Sequence, residues 1–234
     1  MITVYTVAFN EEVFIKFMID HYRSRFPNCH IVVHDNESTD NTVAIAMANN
    51  CEVITYSTNN QINDSKYLEI KNNCWKKAQT DWVLICDVDE LLNINESDLL
   101  AEENLGVTMI SSEGYNMVNM EDNYDLENIK YGARCEPYDK FYLFNKKFIS
   151  DINYKPGCHE CKPIGKAVKS KTKYIAYHYK CINPDFQVER YASYAGRLSE
   201  ENKKNGWGNH YLQTPEQIKG AFYAARQYVK RIIL

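Results

Sequence analysis

Asp81-Trp82-Val83-Leu84-Ile85-Cys86-Asp87-Val88-Asp89-Glu90 is an apolar run that ends abruptly in carboxylates. A short continuous apolar segment bounded by polar residues reads as a strand buried on both faces, as at the centre of a parallel sheet. Acidic groups at the C-terminal end of such a strand lie in the crevice where open α/β sheets take their ligands. Asp87 and Asp89, separated by one residue, can direct oxygens at one hard cation, Mg²⁺ or Mn²⁺, whose other positions stay open for phosphate oxygens. The stretch predicts a metal and diphosphate site; the plainer alternative is a solvated acidic turn.

On its N-terminal side, strand-like and helix-like patterns alternate. Residues 2–9 are apolar and β-branched and end at Asn10-Glu11-Glu12, after which Val13, Phe14, Phe17, Met18 and Tyr22 share a helical face. Residues 30–34 form a second buried strand closing on Asp35-Asn36-Glu37-Ser38-Thr39-Asp40, with Ser38 or Asp40 placed to cap the next helix. A third strand over residues 51–56 and an amphipathic helix over 65–78 lead back to the acidic-ended strand. This is the pattern of βαβ units on a parallel sheet. Right-handed crossovers put all C-terminal strand ends on one edge, so Asn10-Glu11, Asp35-Asn36 and Asp87-Val88-Asp89 are expected in a single crevice. Neither a GxGxxG nor a GxxxxGK[ST] loop is present, so a nucleotide there would rely on metal and side chains.

Downstream, Glu96-Ser97-Asp98 opens a short helix, residues 107–112, 140–144 and 174–179 read as strands, and residues 114–138, polar and aromatic without a clear period, read as a long functional loop. Pro184 starts a helix with Phe186, Tyr191, Tyr194, Ala195 and Leu198, and Ile218, Phe222, Ala225, Val229 and Ile232 make a last apolar stripe. That stripe is expected to pack on the domain or on a second copy, giving a homodimer, with peripheral contact to an anionic membrane as the lesser use. The expected organisation is an α/β domain over residues 1–180, with a nucleotide-binding half (1–90) and an acceptor-side half (91–180), and a C-terminal helical extension over 181–234.

The bulk numbers narrow the class. A formal charge of −4 over 234 residues argues against a nucleic-acid partner. Eighteen tyrosines suit a sugar or nucleobase site, each having a stacking face and a hydroxyl. Eight cysteines invite a disulfide framework, but Met1 leads straight into a strand-like segment rather than a signal peptide, and the expectation is a reduced, cytoplasmic protein. Cys158-His159-Glu160-Cys161 is half a zinc pattern without its second pair. No apolar run approaches the roughly 18 residues of a membrane span.

Taken together, Val7-Ala8-Phe9-Asn10-Glu11, Val33-His34-Asp35-Asn36-Glu37-Ser38-Thr39-Asp40-Asn41-Thr42 and Cys86-Asp87-Val88-Asp89-Glu90 resemble the family 2-like glycosyltransferases of the GT-A fold. The segments Gly157-Cys158-His159, Tyr177-His178-Tyr179 and Gly206-Trp207-Gly208 look like a subgroup of small bacterial and viral enzymes of this kind. The resemblance implies a Rossmann-like, mostly parallel central sheet flanked by helices. It further implies metal-dependent, hexosyltransferase-type transfer from a nucleotide-sugar donor, a UDP-sugar by family habit, to a glycan or other hydroxyl acceptor. By the same resemblance Asp35 would bind the nucleobase, Ala8 would offer it backbone groups, and Asp87 and Asp89 would be the DxD pair on the diphosphate. Asn10 and Glu11 belong to the same donor side, and Lys71 could reach a phosphate or ribose. His178 and His159 are the candidates to complete a shell of Mn²⁺ or Mg²⁺, and Asp122 and Glu160 are the candidate catalytic bases. Two other readings stay open: a haloacid-dehalogenase-like phosphatase with Asp87 as nucleophile, and a non-catalytic carbohydrate-binding protein on a transferase fold.

Overall fold

A computed structural model describes residues 1–121 and 125–232. The first half alternates as its periodicity dictates: β1 (Ile2–Ala8), α1 (Glu12–Arg25), β2 (His30–Asp35), α2 (Thr42–Ala48), β3 (Glu52–Thr55), α3 (Asp64–Asn73), β4 (Trp82–Asp87), β5 (Glu90–Leu92) and α4 (Glu96–Asn104). The second half continues with β6 (Met109–Val118), β7 (Tyr131–Arg134), β8 (Leu143–Asn145), β9 (Ile149–Asp151), β10 (Ile164–Gly165), β11 (Lys169–Cys181), α5 (Pro184–Arg197), α6 (Glu200–Asn205), α7 (Pro215–Ala225) and β12 (Lys230–Arg231).

Among the described residues, ten strands form one sheet in which β12-β7-β6-β8-β4-β1-β2-β3 run side by side, with β11 joined to β5 and β6. Strands β4, β1, β2 and β3 are mutually parallel, and β11 runs parallel to β6. The pairs β4–β8, β6–β7, β7–β12 and β11–β5 are antiparallel. The chain is thus an α/β protein with helices on a central sheet whose N-terminal half is parallel.

Strand β4 is buried on both faces. Trp82, Leu84 and Cys86 join Phe14, Met18 and Ala46 in one core cluster, whereas Val83 and Ile85 join Trp75, Phe144 and Ile149 in the other. Each such side chain contributes about 1.5–3 kcal/mol on burial, which is why this run needs no polar alternation. The same period of two decides where the motif points. Asp87 continues the Val83 and Ile85 face, toward α3, and Val88 turns into the other cluster.

Two expectations differ from the structure. Residues 114–138 are not one loop: β6 runs on to Val118, β7 pairs with it, and Tyr115 and Met117 are buried in the core. Gly114 permits this, because a Cβ there would lie 2.4 Å from the Tyr138 Cβ. The last stripe is also broken. Ile218 and Phe222 are buried on α7, which packs against α5, but the helix ends at Ala225 and β12 then pairs with the β7 edge, burying Ile232 in the main core. Pairing satisfies the backbone groups that the β7 edge would otherwise expose.

Candidate active site

The C-terminal ends of β1 and β4 open into a cavity of about 390 Å³. Its floor comes from Ala8, Glu11, Asp87 and Asp89, one wall from α3 and residues 138–140 and 156–159, and the opposite wall from α5 and residues 207–211.

Asp87 meets Lys71 of α3, whose Nζ lies 2.5 Å from Oδ1. Burial alone would raise the Asp87 carboxyl, but the Lys71 ammonium, with Lys140 behind it, holds it down to about 2. Asp89, past the end of the strand, faces elsewhere. Its Oδ2 is 3.1 Å from Nη1 of Arg190 and 3.8 Å from Nε2 of His178. The histidine is delivered by sheet register: β11 places His178 opposite Glu90 on β5 and Asn116 on β6. Its Nδ1 lies 2.7 Å from the Asn116 amide oxygen, which assigns the proton to Nδ1 and leaves Nε2 as a lone pair toward Asp89. Tyr138 stacks on the ring at 4.0 Å, and burial lowers the imidazole to about 3, so it is neutral near pH 7.

Arg190 also bridges to Glu11. Nη2 donates to Glu11 Oε1 at 2.7 Å and Tyr194 Oη donates to the same oxygen at 2.9 Å. Glu11 Oε2 is buried without a hydrogen-bond partner among the described residues, and burial pushes this carboxyl up to about 7 against the pull of Arg190. Glu90 pairs with Lys140 at 2.6 Å, the two side chains only 4% and 3% exposed, and burial likewise raises Glu90 to about 7.

The remaining candidates are spread more widely. Asp35 is 2% exposed and does not line the cavity; Oδ2 accepts the Ser38 N–H at 3.1 Å, while Oδ1 is buried without a partner among the described residues. Asn10 holds a positive φ of 53° and stitches the end of β1 to the loop after β2, its Oδ1 accepting the Thr39 N–H at 2.7 Å. His159 lines the cavity with Nδ1 held 2.6 Å from the Pro137 carbonyl. Glu160 is exposed and lies outside the lining, and Asp122 lies outside the described residues. No group of three or more His, Cys, Asp or Glu side chains among the described residues is arranged to hold a metal ion; of the four expected ligands, Asp89 and His178 lie side by side, Asp87 is paired with Lys71, and His159 is held by the Pro137 carbonyl. Oxygen and imidazole donors suit Mn²⁺ or Mg²⁺ provided that substrate or water supplies the other positions.

Sequence reasoning passed over Lys140, Tyr138 and the working face of α5. Gln187, Arg190, Tyr191, Tyr194 and Arg197 all line the cavity, at intervals of three, one, three and three residues. That is one helical stripe. It was available to a search for polar as well as apolar periodicity.

The family model described as glycosyl transferase family 2 matches residues 3–104, which hold β1 through α4 and both aspartates of the motif. Residues 3–104 are thus the segment similar to glycosyl transferase family 2. The family 2 segment therefore supplies the floor of the cavity, and residues 138–211, outside the match, supply most of its walls. No curated protein matches the chain. Among solved structures, S. aureus TarS 1–349 aligns at 15% identity and a TM-score of 0.47, over 90% of this chain and 70% of that one. Its complex with UDP aligns at 15% identity and 0.47, over 95% and 70%. Glucosyl-3-phosphoglycerate synthase from Mycobacterium tuberculosis, in complex with Mn²⁺, UDP and glucosyl-3-phosphoglycerate, aligns at 17% identity and 0.41, over 68% and 62%. No helix among the described residues is long and apolar enough to cross a membrane.

Proposed function

We propose that the chain is a metal-dependent glycosyltransferase that moves a sugar from a nucleoside-diphosphate sugar, with uridine as the base, to a hydroxyl acceptor. The observation that carries this reading is the convergence of Asp89 and the neutral His178 Nε2, 3.8 Å apart, in a cavity floored by the family 2 segment. Asp89 and His178 would hold Mn²⁺ or Mg²⁺, which when bound stabilises charge on a departing diphosphate. The protein's own groups do the rest. Lys71 and Lys140 keep Asp87 and Glu90 compensated, so the carboxylates at the end of β4 do not repel an incoming diphosphate as three free charges would. Arg190, buried between Glu11 and Asp89, fixes α5 over the strand ends and keeps a guanidinium where leaving-group charge develops. Glu11, with one unpartnered oxygen and a carboxyl raised to about 7, is suited to take the acceptor proton near neutral pH.

Calorimetric titration with UDP, and with GDP for comparison, with and without Mn²⁺, tests the reading. Metal-dependent binding of UDP that is lost in Asp89→Ala supports it; a folded protein that binds neither nucleotide refutes it.

A further inference from the structure

Arg190 is bound through all three of its guanidinium nitrogens, each to a different group. Nε donates to the Tyr194 hydroxyl at 2.8 Å, Nη2 to Glu11 Oε1 at 2.7 Å and Nη1 to Asp89 Oδ2 at 3.1 Å. The Tyr194 hydroxyl in turn donates to Glu11 Oε1 at 2.9 Å, and the guanidinium carbon lies 4.8 Å from the centre of the Phe14 ring. The side chains of Arg190, Glu11 and Asp89 are only 16%, 9% and 13% exposed, so water screens this cluster weakly.

Two of the three bonds anchor the guanidinium, to the end of β1 and to its own helix. The third is different in kind, because Asp89 Oδ2 is also the oxygen that faces His178 Nε2 at 3.8 Å. A divalent cation held between Asp89 and His178 would take that oxygen, and a guanidinium donating to the same oxygen sets like charge beside the ion. The cation therefore binds only by displacing Nη1. Displacement by a bare ion leaves Nη1 a donor without its acceptor, which is disfavoured in a buried site. Displacement by an ion that carries a diphosphate supplies a phosphate oxygen in exchange, and a guanidinium bonds phosphate as readily as carboxylate.

We propose that Arg190 is the counter-ion that a metal replaces at Asp89, so that the site disfavours the free cation and accepts the cation together with its nucleotide diphosphate. The inference rests on the nucleotide-sugar reading and adds to it a coupling between metal and nucleotide that runs through one side chain. Glu11 and Tyr194 keep Arg190 in place during the exchange, and only its Nη1 changes partner, from carboxylate to phosphate.

The test is calorimetry on the whole chain, with Mn²⁺ alone and with UDP at saturating Mn²⁺, for the unmodified protein, Arg190→Gln, Arg190→Lys and Arg197→Met, with thermal melting to confirm the fold. Glutamine removes the charge from Asp89. Lysine keeps a cation for Glu11 but lacks the fork that holds two carboxylates at once, and it decides the matter should the glutamine variant fail to fold. Arg197→Met is the control for a general loss of positive charge, since Arg197 also lines the cavity but hydrogen-bonds Asn60. Mn²⁺ alone should bind on the order of tenfold tighter in Arg190→Gln, and UDP with Mn²⁺ on the order of tenfold weaker. Arg190→Lys should show the same two signs at smaller size, and Arg197→Met should change Mn²⁺ affinity by less than about threefold. A merely structural role for Arg190 would weaken both affinities together. Mn²⁺ binding that is unchanged or weaker in both Arg190 variants, UDP binding that does not weaken, or an equal gain in Arg197→Met overturns the inference and leaves the transferase reading intact. Unmodified protein that binds no nucleotide overturns both.

Discussion

The two aspartates of the motif sit one residue apart and are served by different parts of the molecule. Asp87 takes its counter-charge from Lys71, inside the family 2 segment and one βα unit upstream, so this pair forms within the parallel half of the sheet. Asp89 takes Arg190 and His178, contributed by α5 and β11 far along the chain. The first pair therefore helps to hold the N-terminal, parallel half together, and the second couples that half to the rest of the protein. The contrast teaches that a compact sequence motif need not be a compact energetic unit.

The largest expected effect falls on Asp89. Replacing it with alanine should lower release of nucleoside diphosphate from a panel of UDP-sugars at least about a thousandfold, with the melting temperature little changed because Glu11 still compensates Arg190. Turnover that survives the substitution would break the functional half of the contrast.

Next comes Arg190→Met, which leaves Glu11 and Asp89 buried without their cation. Removing one partner from a buried ion pair costs about 3–5 kcal/mol, or roughly 6–20 °C in melting temperature for a chain of this size. Lys71→Met should cost less, since the Asp87 side chain is 37% exposed and water can serve it. Hydrogen exchange separates the two. Arg190→Met should raise exchange in α5, and Lys71→Met in α3, without the reverse. Equal exchange patterns would show that both pairs belong to one unit.

Legibility in the sequence follows the same division. The βαβ order, the acidic end of β4 and the helix phases of α1 and α3 depend on local period and short crossovers, and a single strand such as 82–87 declares itself by its composition. The extension of β6 through Tyr115 and Met117 was hidden because one partner, β11, is distant in sequence and its Gly114 reads locally as a turn. Arg190 and Arg197 were hidden for another reason. An arginine on an otherwise amphipathic helix looks like its solvated face, and only the docking of α5 over the strand ends turns that face inward.

A smaller effect, readable only against pH, concerns Glu90 and Lys140. With Lys140 replaced by methionine, the buried Glu90 carboxyl, already raised to about 7, should rise further and fold mainly in its protonated form. The native state then holds a proton that the unfolded chain releases near its ordinary value, so stability falls as pH rises. The deficit of Lys140→Met relative to the unmodified protein should be modest at pH 6 and widen by up to about 1.4 kcal/mol per unit above pH 7. A deficit independent of pH would mean that Glu90 stays ionised and finds another partner.

The smallest effect compares two histidines. His178 in the cavity and His21 on α1, whose Nε2 lies 3.0 Å from the Leu92 carbonyl, are both lowered by burial to about 3. A depressed histidine binds fewer protons when folded than when unfolded, so stability is fully present above the unfolded value near 6.5 and is lost as pH falls toward 3. Each contributes at most about 1.4 kcal/mol per pH unit in that window. His21 is not among the residues lining the cavity, so His21→Gln should flatten the loss of melting temperature between pH 6.5 and 5 while leaving UDP binding as it was. If acid loosens the front half through His21, exchange should appear first at the α1–β5 contact; if it appears first in β11, the site histidine yields before the structural one. That order would make the seam between the family 2 segment and the rest the weakest part of the molecule in acid.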